Sequence, residues 1–103
     1  MHSGILVEMN DYKLAENGDI YLRHNGKMRR ICYARPEEGD TGKQKGFGYA
    51  WFWDVVFSDG TAAKWSGLDM NVILHQRTMM CSKNVLENWR GKFDEGVSPS
   101  SGA

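Results

Sequence analysis

The stretch Ile20–Arg35, IYLRHNGKMRRICYAR, decides the fold because two β-prone runs flank the dipeptide Asn25-Gly26. A type I′ turn needs positive φ at both central positions, which Asn and Gly tolerate, so this dipeptide predicts a two-residue hairpin. The stretch also carries five basic residues and no acidic one, although the formal net charge of the chain is zero. The hairpin is therefore either a basic binding surface or an ordinary hydrated sheet face.

Two further dipeptides, Asn17-Gly18 and Asp59-Gly60, carry the same turn signal between β-prone runs. Three such turns in sequence predict an antiparallel meander. The predicted strands are Tyr12–Glu16, Asp19–His24, Lys27–Ala34, Tyr49–Ser58 and Thr61–Ser66, with a weaker candidate at Ile5–Met9.

The chain has 103 residues, 41% of them hydrophobic and 25% charged, which is typical of one soluble globular domain. We expect a single domain over residues 1–93 and a disordered tail over residues 94–103, because DEGVSPSSGA has the composition of a flexible end. The glycine-rich segment Arg35–Gly48 predicts a long surface loop.

The segment Leu68–Cys81 fits either an extended strand or a helix that begins after Asp69, and the strand is the preferred interpretation. A short helix after Ser82 is better supported, because its apolar residues recur at spacings of three and four. The predicted fold class is thus β-rich α+β. We expect an antiparallel meander curled into a partly closed sheet or small barrel, with one short C-terminal helix.

The Asn25-Gly26 register separates the first hairpin into two faces. The predicted core face holds Ile20, Leu22, Ile31 and Tyr33, and the opposite face holds Tyr21, Arg23, Met28, Arg30 and Cys32. The Asn17-Gly18 register adds Tyr12 opposite Arg23. Aromatic rings interleaved with basic groups are typical of single-strand nucleic-acid binders. The predicted nucleic-acid site is Tyr12, Tyr21, Arg23, Lys27, Arg29, Arg30, Lys43 and Lys45.

The second hairpin is apolar on both faces, whereas an antiparallel strand with one hydrated face should alternate. A two-residue turn at Asp59-Gly60 divides the hairpin into two faces. One face holds Trp51, Trp53, Val55, Phe57 and Ala62. The other face holds Phe52, Val56, Ala63 and Trp65. The second face therefore needs a cover. The candidates are the C-terminal helix, closure of the sheet, and another protein molecule.

We accordingly expect a non-enzymatic binding or adaptor module that engages a protein surface or associates with itself. The predicted protein-binding residues are Trp51, Trp53, Trp65, Met70, Met79 and Met80. Nucleic-acid binding is the alternative function. Neither a cofactor nor a small-molecule substrate is indicated by any motif.

Known catalytic and metal-binding patterns do not fit the chain. The spacing of His24, Cys32, His75 and Cys81 is too wide for a structural zinc site. The loop sequence GDTGKQ lacks the length and the Ser or Thr of a phosphate-binding loop. We expect both cysteines to be buried free thiols in a reducing compartment. The first apolar run, Ile5–Val7, is too short for a membrane span, so the expected location is cytoplasmic without a membrane partner.

Overall fold

The computed structural model describes residues 4–8, 11–37 and 51–94. Most of the predicted loop, with Lys43 and Lys45, lies outside the described residues, and so does the predicted tail after Asp94. The elements are β1 (Ile5–Glu8), β2 (Tyr12–Ala15), β3 (Ile20–His24), β4 (Lys27–Pro36), β5 (Phe52–Phe57), β6 (Ala62–Ser66), α1 (Gly67–Met80), α2 (Lys83–Asn88) and β7 (Lys92–Phe93).

The predicted antiparallel meander is confirmed. Strands β1 to β6 lie side by side in chain order, and each pairs antiparallel with the next. The short strand β7 pairs parallel with β4 at Tyr33 and Ala34, beyond the part of β4 that pairs with β3. The sheet is open, because β1 and β6 form its two ends in the described part of the chain, so the predicted closure into a barrel is not found.

The Asn25-Gly26 turn has the predicted geometry. Asn25 has φ 52° and Gly26 has φ 82°, as a two-residue type I′ turn requires. The strands pair in the predicted register, from His24 with Lys27 to Tyr21 with Arg30. The first hairpin therefore presents Tyr21, Arg23 and Arg30 on one face, as the sequence indicates.

The other two turns are one residue longer than predicted. In each, the glycine N–H donates to the carbonyl three residues earlier, from Gly18 to Ala15 and from Gly60 to Phe57, both at 2.9 Å. Both glycines have φ 92°, which completes a three-residue loop of a type I turn plus a left-handed glycine. A side-chain oxygen of Asn17 or Asp59 accepts the N–H two residues on, which stabilises this loop.

One extra loop residue moves each pairing by one position and exchanges the faces of the partner strand. Tyr12 therefore pairs with Leu22 rather than with Arg23, and it lies in the core. Trp65 pairs with Trp53, so the prediction that it shares a face with Phe52 is wrong. Ala63 moves to the core side with Trp65, opposite Val55, and Ala62 moves to the other face, opposite Val56.

A bulge in β4 also changes a predicted face. Ile31 pairs with Phe57, but Tyr33 pairs with Val56, so Cys32 is an extra residue between them. In a regular strand, residues three positions apart point to opposite faces. The bulge at Cys32 instead lets both Ile31 and Ala34 reach the core. Tyr33, predicted in the core, therefore lies half-buried on the opposite face. Cys32 is exposed and Cys81 buried, so the expectation of a buried thiol is wrong for Cys32.

The segment predicted as a strand at Leu68–Cys81 is helix α1 instead. The side chain of Ser66 caps its N-terminus by accepting the N–H of Asp69 at 3.4 Å, and Asp69 provides a favourable negative charge in the first turn. Met70, Ile73 and Arg77 recur at helical spacing and are buried against the sheet. The requirement to cover the core decides in favour of a helix where the apolar pattern is ambiguous.

The core lies between one face of the sheet and α1. It consists of Tyr12, Leu14, Ile20, Leu22, Ile31, Ala34, Trp53, Val55, Phe57, Met70 and Ile73. The predicted helix after Ser82 is confirmed as the short α2, so the described chain has two helices rather than one. Neither of these helices is long and apolar enough to cross a membrane.

Arg77 joins the C-terminal segment to the core. Its guanidinium carbon lies 4.6 Å from the ring centre of Trp89 and 4.9 Å from that of Phe93, while its Nε donates to the carbonyl of Gly18 at 2.5 Å. Burial lowers the pKa of Arg77, and the charges of Cys81 and Asp19 oppose that shift. The cation thus contacts a stacked pair of aromatic rings, whose centres are 4.5 Å apart, and a turn carbonyl.

Candidate functional site

The face of the sheet opposite α1, which we call the outer face, carries the candidate site. The strand registers align its residues in rows across neighbouring strands. The rows are Lys13–Tyr21–Arg30, Arg23–Met28, Tyr33–Val56–Ala62, Arg35–Asp54–Lys64 and Phe52–Ser66. The outer face thus has a basic half on β2–β4 and an apolar half on β4–β6.

The apolar half contains large side chains that the described fold does not bury. Phe52 is 45% exposed and Val56 is 37% exposed. Tyr33 lies half-buried beside Val56. On the other side of the same strand, Val55 and Phe57 are almost fully buried. Strand β5 is therefore apolar on both faces, but α1 covers only one of them.

The basic half has a lysine and an arginine on either side of a tyrosine. The Lys13 ammonium lies 5.1 Å from the centre of the Tyr21 ring, a distance at which cation–π attraction acts. On the next strand, Arg30 is the register partner of Tyr21, and its Nη1 lies 3.8 Å from Asp19 Oδ1. This row combines positive charge with an aromatic surface.

A charged row crosses the apolar half between Phe52 and Val56. Asp54 has Arg35 and Lys64 as its register partners on the two neighbouring strands. The Lys64 ammonium forms an ion pair with Glu37, so part of the positive charge is neutralised within the chain. The apolar half therefore carries both signs of charge between its two apolar rows.

The predicted protein-binding residues do not form one surface. Trp53 is 3% exposed and Met70 is fully buried, so both belong to the core. Trp65 packs against the core and also lines a cleft beside α1. Met79 and Met80 are exposed near the end of α1, and Trp51, which precedes β5, is 38% exposed.

The predicted nucleic-acid residues are brought together only in part. Tyr21, Arg23 and Arg30 share the outer face, and Lys27 is exposed at the adjacent turn. Arg29 points to the core side opposite Leu22 and forms an ion pair with Asp59, Nη1 to Oδ2 2.6 Å. Tyr12 is a core residue, and burial raises the pKa of its phenol. Its hydroxyl donates to Gln76 Oε1.

The predicted site residues omit two largely apolar sets of side chains that the structure leaves at least partly exposed. Phe52, Val56 and Tyr33 form the apolar half, and their signal was the lack of alternation in the second hairpin. Leu68, Val72, His75 and Met79 form an exposed stripe on α1 with spacings of four, three and four residues. That stripe is recognisable only once the segment is known to be a helix.

Metal binding finds no support in the geometry. Within residues 4–8, 11–37 and 51–94, no three His, Cys, Asp or Glu side chains are grouped so that they could hold a metal ion. His24 lies beside the turn of the first hairpin, whereas Cys32 is the bulge residue further along β4.

Comparison of the chain with protein-family models, with curated proteins and with solved structures gives no match in any of the three.

Proposed function

We propose that this protein is a non-enzymatic binding module that docks a protein surface on the apolar half of its outer face. The observation that carries the proposal is the exposure of Phe52 and Val56 on a strand whose other side is fully packed. Isolated apolar residues on a surface are common, but large apolar side chains left exposed on one open sheet face, here with Tyr33 beside Val56, are typical of an interface. The expected cytoplasmic location is part of the same proposal.

Burial of apolar area provides the driving force for docking. Each Å² of apolar surface removed from water contributes about 25 cal/mol, so the exposed parts of these side chains supply part of the binding free energy. Phe52 is the kind of aromatic anchor that dominates measured interface energies. The side chains are held by β5, which hydrogen-bonds to a strand on each side and needs little reordering on binding.

The charges around the apolar half restrict the partner. The row Arg35–Asp54–Lys64 crosses this half, and the basic row with Lys13 and Arg30 lies next to it. Charge complementarity favours a partner that surrounds an apolar contact with more acidic than basic groups. A second copy of this chain is a special case, because alternating charges such as Asp54 and Lys64 can pair across a two-fold axis.

Photo-crosslinking tests the location of the interface. A benzophenone-bearing phenylalanine at position 52 reports on the outer face, and the same residue at position 79, where Met79 is 71% exposed, is the matched control on α1. We expect a specific protein adduct, with a partner or a second copy, from position 52 only. Equal labelling from both positions, or labelling from position 79 alone, contradicts the outer face as the binding surface.

Binding of the purified crosslinked partner then provides a quantitative check. Val56→Asp places a charge in the apolar half, and we expect it to weaken binding at least about tenfold because the carboxylate loses water on docking. Leu68→Asp changes an equally apolar, exposed residue on α1 and serves as the control. Sedimentation of the wild type and of Val56→Asp shows whether the partner is a second copy.

Nucleic-acid binding is the second candidate function, and the row Lys13–Tyr21–Arg30 favours it. In single-strand binders, bases stack on aromatic rings while neighbouring cations hold the phosphates. Tyr33 and Phe52 provide two further rings on the same outer face. The zero net charge of the whole chain limits this function to a local contact.

Titration of a fluorescent single-stranded oligonucleotide at low salt tests this candidate. We expect Arg23→Ala and Arg30→Ala each to weaken binding and to reduce the salt dependence by about one phosphate contact. Lys83→Ala removes a fully solvated charge on α2 and is the control. Undetectable binding by the wild type, or equal affinity of all variants, rules the candidate out.

A further inference from the structure

A cleft on the opposite side of the molecule from the outer face has the composition of a cation site. The cleft lies between α1 and the β-strands and has a volume of about 310 Å³. That volume falls at the lower end of the range of about 300–1,000 Å³ found for ligand sites. The sheet contributes Asp11, Tyr12 and Trp65 to the walls, and α1 contributes Asp69, Ile73 and Gln76.

The charged groups of the cleft have one sign. Asp11 and Asp69 both line it, and no basic side chain does so in the described part of the chain. Neither carboxylate has an ion-pair partner among the described residues. Two uncompensated carboxylates at one cleft attract a cation. Tyr12 adds no further negative charge, because burial raises the pKa of its phenol.

The remaining surface of the cleft suits an apolar stem. Trp65 contributes a half-buried indole, and Ile73 contributes an aliphatic side chain that is itself packed in the core. Cations with attached methylene groups pack along such surfaces and interact with the face of an indole. The Tyr12 hydroxyl is engaged by Gln76 Oε1, which fixes both side chains in the wall.

We infer that this cleft binds an alkylammonium or guanidinium group carried on an aliphatic stem, with the charge at Asp11 and Asp69 and the stem against Trp65. A lysine or arginine side chain of another protein has this chemistry, and so does a small free alkylamine. The cleft is separate from the outer face, so this inference is independent of the proposed function. A divalent metal ion is a poorer fit, because hard cations need six or more oxygen ligands.

NMR titration with n-butylammonium chloride tests the inference directly. The indole N–H resonance of Trp65, assigned with Trp65→Phe, reports on the wall of the cleft. We expect a saturable shift of this resonance, and a much smaller one with butan-1-ol, which has the same stem without the charge. An equal response to butan-1-ol, or no saturable shift with butylammonium, overturns the inference. A response to calcium chloride that exceeds the butylammonium response also overturns it.

Substitution of the carboxylates tests the role of charge. Asp11→Asn and Asp69→Asn keep the shape of the side chains, and we expect each to weaken butylammonium binding by about 2- to 5-fold, in the range of exposed ion pairs. Glu16→Gln removes an exposed carboxylate outside the cleft and is expected to change nothing. Asp11 lies outside the helices, so Asp11→Asn tests the charge even if Asp69→Asn disturbs the first turn of α1. Unchanged affinity in Asp11→Asn contradicts the inference.

A lysine-containing peptide distinguishes the two sources of the cation. Acetyl-Gly-Lys-Gly-amide presents the same butylammonium group on a peptide backbone. Tighter binding of the peptide than of butylammonium identifies a protein side chain as the ligand, and equal affinity identifies a free amine. Both results support the cleft as a site for a stemmed cation, whereas failure of both probes to bind refutes it.

Discussion

The two faces of strand β5 have similar residues but different surroundings. Val55 and Phe57 are almost fully buried under α1, whereas Phe52 and Val56 on the outer face retain more than a third of their exposure. Both faces contain a phenylalanine and a valine in the same six-residue strand. Hydrophobicity alone therefore does not determine which side of this strand becomes core.

The two faces of β5 therefore differ in what their apolar side chains contribute. Those on the core face stabilise the fold, whereas those on the outer face are left for binding under the proposed function. A single helix of 14 residues covers one face of a sheet of this width. The second apolar face contributes little to folding while it stays exposed, but it contributes to association once a partner covers it. Matched substitutions on the two faces test this division.

Phe57→Ala and Phe52→Ala provide the sharpest comparison. We expect Phe57→Ala to lower the free energy of unfolding by about 3–5 kcal/mol, because it removes a buried ring and leaves a cavity. The exposed Phe52 leaves no cavity, so its replacement should change the free energy by less than about 1 kcal/mol. Urea denaturation of both variants measures the two values. Similar losses for the two variants would show that the outer face is also covered.

Arg77→Ala and Arg30→Ala extend the comparison to charge, since both side chains lie near Asp19. Arg77 is buried beside the stacked rings of Trp89 and Phe93, and we expect its loss to cost about 2–3 kcal/mol from a desolvated cation–π contact and a charged hydrogen bond. Arg30 is more exposed, so its removal should cost less than about 1 kcal/mol. Thermal and urea unfolding measure both changes. A larger loss for Arg30→Ala would contradict the assignment of Arg77 to the core.

The smallest change in stability is expected for the charge of Asp59, which lies in the turn between β5 and β6. Hydrogen bonds from the Thr61 side chain and N–H, together with Arg29, lower the pKa of Asp59 from 3.8 to about 2. Because the folded pKa lies below the unfolded one, the stabilisation is complete above pH 3.8 and is lost as the pH falls towards 2. Asp59→Asn removes this titration but keeps an acceptor for the turn.

Urea denaturation between about pH 5 and pH 2 measures this contribution. We expect the stability difference between the wild type and Asp59→Asn to be constant at the upper end of the range and to shrink across the acidic end. A difference that grows as the pH falls would mean that the Asp59 carboxylate is less favourable in the fold than in the unfolded chain.

Much of the fold was predictable because its signals are local. The strands follow from β-prone runs between Asn-Gly and Asp-Gly dipeptides, and the Asn25-Gly26 register follows from the turn type alone. The lack of alternation among the residues of β5 is enough to indicate two apolar faces. The apolar outer face with Phe52 and Val56 is thus the part of the candidate site that the sequence predicts.

The register predictions that failed depend on the length of a turn and on the position of a bulge, and the dipeptide signals fix neither. At Gly18 and Gly60, side chains of Asn17 and Asp59 favour a three-residue loop over the two-residue loop that the same dipeptide forms at Asn25-Gly26. The bulge at Cys32 moves Tyr33 to the other face, and no residue pattern in the strand marks it. The sequence therefore located all three turns but gave the correct register only at Asn25-Gly26.

The sequence by itself determined the order of the strands, the positions of three turns and the two-sided apolar character of β5. These features arise from backbone preferences and alternation over a few residues. Only the tertiary structure decided that Leu68–Cys81 is largely helical, that Trp65 joins the core side, and that the cleft beside α1 exists. Those outcomes depend on which apolar surfaces meet, and that is set by the packing of elements distant in the chain.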